Sequence, residues 1–313
     1  MATKTNNSQL NADRPITVAG LINLLIVYIV WGSTYLAIRI AVREGAGFPP
    51  FTMALMRVVV AGAILLMLAK LRGRSLRIGR KEFLVLFGSG ILLWTGGNGL
   101  VTFAEQRSES GLAALIVASV SIWTAIIEAL VDRKRPSWLL IASLVVGFVG
   151  IGVLTYPVLS SGIEADILSV FILIGATVSW AMGTVLLARN PLPEDFSVQV
   201  SSGYQMLSGA VGFIVLVLLT REPLPTPTAE AWLAWGYLVL FGAVLAYTAF
   251  VSALRQLPTS IVMTYPYVNP VVAVILGAII LQEEITIWTL AGSALILLGV
   301  AGVFRARARR AKD

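Results

Sequence analysis

Residues 18–42 read VAGLINLLIVYIVWGSTYLAIRIAV, an apolar run whose one charge, Arg39, stands close to its end. The hydrocarbon layer of a membrane is about 30 Å thick and a helix rises about 1.5 Å per residue, so roughly 20 such residues cross it. This stretch has the length. It is too long for the apolar core of a secretory signal and no small-residue cleavage site follows it, so it reads as a helix of the mature chain.

Nine further stretches meet the same requirement: 50–71, 82–104, 110–131, 138–156, 166–188, 196–219, 229–254, 259–282 and 285–304. Prolines punctuate them. Pro49 and Pro50 open the second stretch, Pro157 follows the fifth, and Pro191, Pro193, Pro223, Pro225 and Pro227 fall in connections, where a missing N–H costs no helical hydrogen bond. With 58% hydrophobic and 12% charged residues, the chain lies outside the range of soluble domains. Cysteine and histidine are both absent, which removes disulfides, thiol nucleophiles, imidazole metal ligands and the commonest general acid/base. The chain is therefore expected to be no enzyme, with no cofactor and no bound metal.

A formal charge of +7 raises the question of nucleic acid, and the placement of the charges answers it. With ten crossings, the N-terminus, the even-numbered connections and the C-terminus share one side. Counting Lys70 at the edge of the second span, they hold 18 of the 23 Lys and Arg, among them Arg72, Arg74 and Arg77 after the second span and Arg305 to Lys312 at the end; the opposite side, counting Arg39 at the edge of the first span, holds four. Positive charge gathers on the cytoplasmic face, so both termini are expected there, in a bacterial inner membrane, with the lipid bilayer as partner and no nucleic acid.

Sliding the chain against itself by 149 residues sets Trp31 on Trp180, Ala104 on Ala253, Ala142 on Ala291 and Gly150 on Gly299. One offset serves the whole length. Two five-helix units, 18–156 and 166–304, are then flanked by an N-terminal segment, 1–17, and a basic tail, 305–313. An odd number of crossings per unit turns the second copy upside down relative to the first, and such inverted repeats enclose a site near the midplane that each side reaches in turn. The fold expected is an all-α membrane protein of ten helices in two inverted repeats around a central cavity.

These residues carry a family likeness. Trp31-Gly32-Ser33-Thr34 in the first helix, Phe51 through Arg57 opening the second, and the closing pattern of Asn269-Pro270, Gln282-Glu283-Glu284 and Gly292 to Val300 resemble the drug/metabolite transporter superfamily, specifically its ten-helix EamA-type exporters. Within it the chain looks most similar to bacterial YddG-type exporters of aromatic amino acids. The resemblance implies export of metabolites from the cytoplasm through a cavity formed by both repeats, and it identifies no solute.

Polar side chains at mid-span face either a cavity or a neighbouring helix, because lipid satisfies neither. Trp31 and Tyr35 in the first helix and Trp180 in the sixth read either as opposite walls of a site or as packing. Asn98 follows Gly96 and Gly97, with Tyr247 as its equivalent in the second half; each is a ligand or a bond between helices. Tyr265, Pro266, Tyr267, Asn269 and Pro270 mark a kinked ninth helix beside a cavity, matched in the fourth by Trp123 and its serines. Two ionisable residues stand inside spans: Arg57, for a substrate carboxylate or a structural pair, and Glu128, a candidate proton site near the cytoplasmic end.

Small multidrug antiporters of the same superfamily carry a glutamate in the middle of their first helix, and here neither the first nor the sixth helix has an acid beyond Asp166 at the very start of the sixth. Facilitated export is the mechanism expected, with a neutral or zwitterionic amino acid or related small metabolite as partner and a monomeric carrier. Broad drug efflux by proton antiport and a non-transport scaffold are the alternatives.

Overall fold

The computed structural model describes residues 16–106, 113, 116–133, 135–160, 167–193, 195–280 and 286–310. These residues form helices and no strand. In chain order they are α1 (Val18–Val42), α2 (Pro50–Leu71), α3 (Arg80–Ala104), α4 (Val120–Asp132), α5 (Trp138–Ser160), α6 (Ile167–Arg189), α7 (Val198–Thr220), α8 (Ala229–Gln256), α9 (Tyr265–Ile280) and α10 (Ile287–Arg310). Six of them, α1, α2, α3, α6, α7 and α8, are long and apolar enough to cross a membrane, and α5 and α10 carry shorter apolar stretches. The expected start of the fourth span at Ser110 and the acidic turn Gln282-Glu283-Glu284 lie outside the described residues.

Local chemistry sets the helix starts. Thr17 accepts a hydrogen bond from the Gly20 amide ahead of α1, and Thr228 does the same for Ala231 ahead of α8. At α2 the cap comes from far along the chain: the Glu222 carboxylate accepts from the amides of Phe51 (2.9 Å) and Thr52 (2.7 Å), a negative charge at a positive helix end. The ninth span differs from the single helix expected over 259–282. A short turn, Thr259–Val262, ends at Met263, and α9 begins anew at Tyr265. Pro266 explains the break, since it has no N–H and its ring excludes the carbonyl four residues back; a restarted helix accommodates it in the first turn.

Two helices widen in the middle. Ile91–Gly99 within α3 and Leu238–Leu245 within α8 are π-helical, at places that correspond under the 149-residue offset. The pattern of contacts behaves the same way. α1 packs on α8 as α6 packs on α3, α1 on α9 as α6 on α4, while α2 with α7 and α5 with α10 are pairs that map onto themselves when the halves are exchanged. Small residues make the last pair close: a side chain at Gly299 would meet the Gly147 backbone at 2.7 Å.

Large apolar side chains also cover the outside, among them Leu25, Ile29, Leu36 and Leu218, a surface suited to lipid and not to water. The bundle has two ends, here named for α1: the Val18 end and the Val42 end.

Candidate functional site

A cavity open in part to the outside lies between the halves and is lined from α1, α3, α6 and α9, by Arg57 of α2, by Val120 at the start of α4 and by Val117 just before it. Its floor toward the Val18 end is aromatic. Trp31, Trp180, Phe250 and Tyr265 touch one another, with ring centroids 4.9–5.9 Å apart. Trp31 is fixed from behind, its indole N–H donating to the carbonyl of Gly242 in the π segment of α8 at 3.0 Å. On the opposite side Ser179 donates to Leu92 O in the π segment of α3 at 2.8 Å. Glycines bring these helices together, for a Cβ at Gly97 would lie 2.6 Å from the Trp180 ring.

Beneath the floor the helices are bonded to one another. Tyr28 and Thr264 share a hydrogen bond of 2.5 Å, and Ser121 donates to Met263 O, joining α1 and α4 to the segment before α9. At the Val18 end itself, Arg189 of α6 grips Asp132 of α4 through two hydrogen bonds and approaches Glu128 at 3.9 Å.

Arg57 stands in the cavity wall with 2% of its surface exposed. Its guanidinium lies 5.4 Å over the Trp94 ring, and one amino group reaches Asn98 Oδ1 at 3.4 Å. Its Nε–H has no partner. One helical turn beyond Val101, which lines the cavity, Glu105 closes α3 at the Val42 end. Glu105 is 3% exposed, and neither carboxylate oxygen has a hydrogen-bond partner among the described residues. Burial pushes its carboxyl up to about 8, against the opposing pull of Arg39 and Arg57.

Of the residues singled out in the sequence, Trp31, Tyr35, Asn98, Trp180, Tyr265, Asn269 and Arg57 are brought to this one cavity. Trp31 and Trp180 are not opposite walls: their rings meet edge to face at 5.5 Å, which leaves no slot for a planar solute between them. Tyr247 does not face Asn98 across the cavity but lies wholly buried behind Trp94, 4.8 Å from its ring. Trp123 stands further toward the Val18 end and outside the lining. Glu128 belongs to a second, smaller cavity with Ser121 and Thr124. Asn269, with its amide nitrogen turned to donate, bonds Tyr265 O at 3.0 Å and Tyr28 O at 3.2 Å and so ties α9 to α1. Thr34 and Thr177 donate back to their own helices, so their hydroxyls meet the cavity as acceptors.

The same bundle architecture is found in a solved crystal structure that superposes with a TM-score of 0.76 at 21% identity, covering 96% of this chain and 100% of that one. In sequence, the model of the EamA-like transporter family matches twice, over residues 18–156 and 167–305, two stretches separated by the same 149-residue offset. The chain belongs to this family. It is 37% identical to an uncharacterized inner membrane transporter, YedA, of Escherichia coli K12, across 81% of this chain and 80% of that protein. It is 25% identical to a "probable amino-acid metabolite efflux pump" of Salmonella typhimurium, across 91% and 95%, and 27% identical to protein PecM of Dickeya dadantii, across 89% and 91%. An EamA-like chain with these apolar helices is a multi-pass membrane transporter of small solutes.

Reading the sequence missed two residues of this site. Trp94 stands two residues before the glycines that precede Asn98, and Glu105 directly follows an apolar stretch. A signal existed in the repeat: under the offset Arg57 falls on Met206 and Glu105 on Leu254, so the first half carries charge where the second is apolar.

Proposed function

We propose that this EamA-like transporter exports amino acids with aromatic or other hydrophobic side chains from the cytoplasm by alternating access. The observation that carries the reading is a cavity walled by Trp31, Trp94, Trp180 and Tyr265 and containing one guanidinium, Arg57. Apolar rings match a hydrophobic side chain, and the guanidinium matches a carboxylate. A polyanion would need several inward cations. The name of the Salmonella relative supports the same class of solute. The likeness to YddG-type exporters in the sequence favours aromatic side chains within it.

In this reading ten helices cross the membrane as two inverted five-helix repeats, both termini are cytoplasmic because the Lys and Arg gather there, and one chain is the working unit. The Val18 end is then the cytoplasmic end, closed under the aromatic floor, and transport requires that closure to alternate between the two ends. Saturable counterflow of L-phenylalanine in proteoliposomes, inhibited by other hydrophobic amino acids, is the expected result; linear, unselective flux overturns the reading.

Facilitated efflux accounts for the absence of an acid in α1 and α6. A second reading, proton antiport, has a specific observation behind it in Glu105, a buried carboxyl close to the cavity. No accumulation of solute against its own gradient when a pH gradient is imposed supports facilitation.

A further inference from the structure

Among the described residues Arg57, in the cavity wall, and Glu105, one turn beyond the lining residue Val101, are buried charges, and the contacts they lack are complementary. The guanidinium keeps an unused donor at Nε, and the carboxylate two unused acceptors. They do not satisfy each other: no ion pair within 4.0 Å joins them, although each lies within range of the other's charge. Asn98 takes up one Arg57 amino group only at 3.4 Å, a weak bond. Burial in this state disfavours the charged form of each group, and a ligand that brings an ammonium to Glu105 and a carboxylate to Arg57 favours it again.

We propose that Arg57 and Glu105 together form a zwitterion site, Arg57 receiving a solute carboxylate and Glu105 its ammonium, with the side chain directed toward the aromatic floor. This rests on the amino-acid reading above and adds to it the recognition of both charged groups. The arrangement follows the geometry of the cavity. Arg57 lies over Trp94 beside the rings, and Glu105 stands beyond Val101, toward the Val42 end. A solute lying with its side chain on Trp31 and Trp180 therefore turns its polar end to this pair. Arg39 and Tyr35 of α1 also act on Glu105 electrostatically, while α6, packed on the same turn, has no titratable residue before Arg189. Arg107 and Glu109, next along the chain, lie outside the described residues.

The test uses four solutes with one aromatic ring: L-phenylalanine, its amide, phenethylamine, which lacks the carboxylate, and 3-phenylpropionate, which lacks the ammonium. Each competes against labelled L-phenylalanine counterflow by the purified full chain in proteoliposomes. The parent is expected to bind phenylalanine at least about tenfold more tightly than any of the other three. Glu105→Gln is expected to bring phenylalanine and 3-phenylpropionate together and Glu105→Asp to keep them apart, whereas Arg57→Gln brings phenylalanine and phenethylamine together. If Glu105→Gln weakens all four equally, the residue is structural and the site is overturned while amino-acid transport stands. Absence of saturable phenylalanine flux in the parent overturns the amino-acid reading and the site with it. Should Glu105→Gln not fold, the parent decides: equal competition by the four solutes overturns the site.

Discussion

Trp31 and Trp180, one from each half of the chain, meet edge to face with ring centroids 5.5 Å apart, and this contact closes the cavity toward the Val18 end. Equivalent under the repeat, the two rings are held by different means. Trp31 donates to Gly242 O, while the Trp180 N–H has no partner. Trp31→Phe keeps an aromatic ring but a smaller one and removes a buried hydrogen bond, so thermal unfolding in detergent should show a loss of about 2 kcal/mol or more. Trp180→Ala takes away one of the four rings of the floor and should lower phenylalanine counterflow by about tenfold or more with folded protein still in the membrane. Unchanged flux in Trp180→Ala would remove the floor from the binding site.

Gly242 and Gly97 both abut the site, and alanine should act differently at each. A Cβ at Gly242 falls 2.9 Å from an Arg57 amino group, the mobile tip of a long side chain. The fold accommodates Gly242→Ala by shifting the guanidinium, so apparent affinity for carboxylate-bearing solutes should fall about tenfold while that for phenethylamine holds. At Gly97 the neighbour is the stiff Trp180 ring at 2.6 Å. Gly97→Ala should therefore reduce the yield of folded protein, and a detergent-stable Gly97→Ala with parental affinity would contradict this packing.

Periodicity explains which of these features were legible in the sequence. The helices follow from apolar length alone, and the repeat from Trp31 and Trp180 sharing one offset. Side-chain direction was harder to read: Tyr247 and Asn98 correspond in sequence, yet Asn98 stands inside the π segment of α3 and lines the cavity, whereas Tyr247 stands just past the π segment of α8 and lies behind Trp94. Glu105 was hidden by the opposite error. An acid directly after an apolar span reads as solvated, whereas α3 carries its helical bonding on through the Glu105 amide to Val101 O, and the surrounding helices bury the side chain.

The chain has no cysteine, so one introduced thiol reports access without interference. Val101 lines the cavity and Thr264, 1% exposed, lies under the floor. With a membrane-impermeant maleimide on the outer face, Val101→Cys should label and Thr264→Cys should not. Arg189 clamps α6 to α4 through Asp132 at the other end. Combining Arg189→Ala with Thr264→Cys should raise labelling from the cytoplasmic side of inside-out vesicles. Equal labelling with and without Arg189 would show that the clamp does not hold that end shut.

Acidity should separate the two carboxylates. Glu105, with its carboxyl pushed up to about 8, is mainly neutral below that value and charged above it. A solute ammonium requires the charged form, so binding from lower pH must expel the proton, and apparent affinity for phenylalanine should climb as pH rises toward about 8 and then level off, over the range in which the solute stays protonated. Glu105→Gln should flatten that profile. Glu128 lies in the smaller cavity near the Val18 end, 3.9 Å from Arg189, and Glu128→Gln should leave both the profile and the response to an imposed pH gradient as in the parent. Counterflow measured across pH in the parent and the two variants makes the comparison direct. A slope that persists in Glu105→Gln and vanishes in Glu128→Gln would move the titrating group to the other end of the bundle, and with it any coupling of solute to protons.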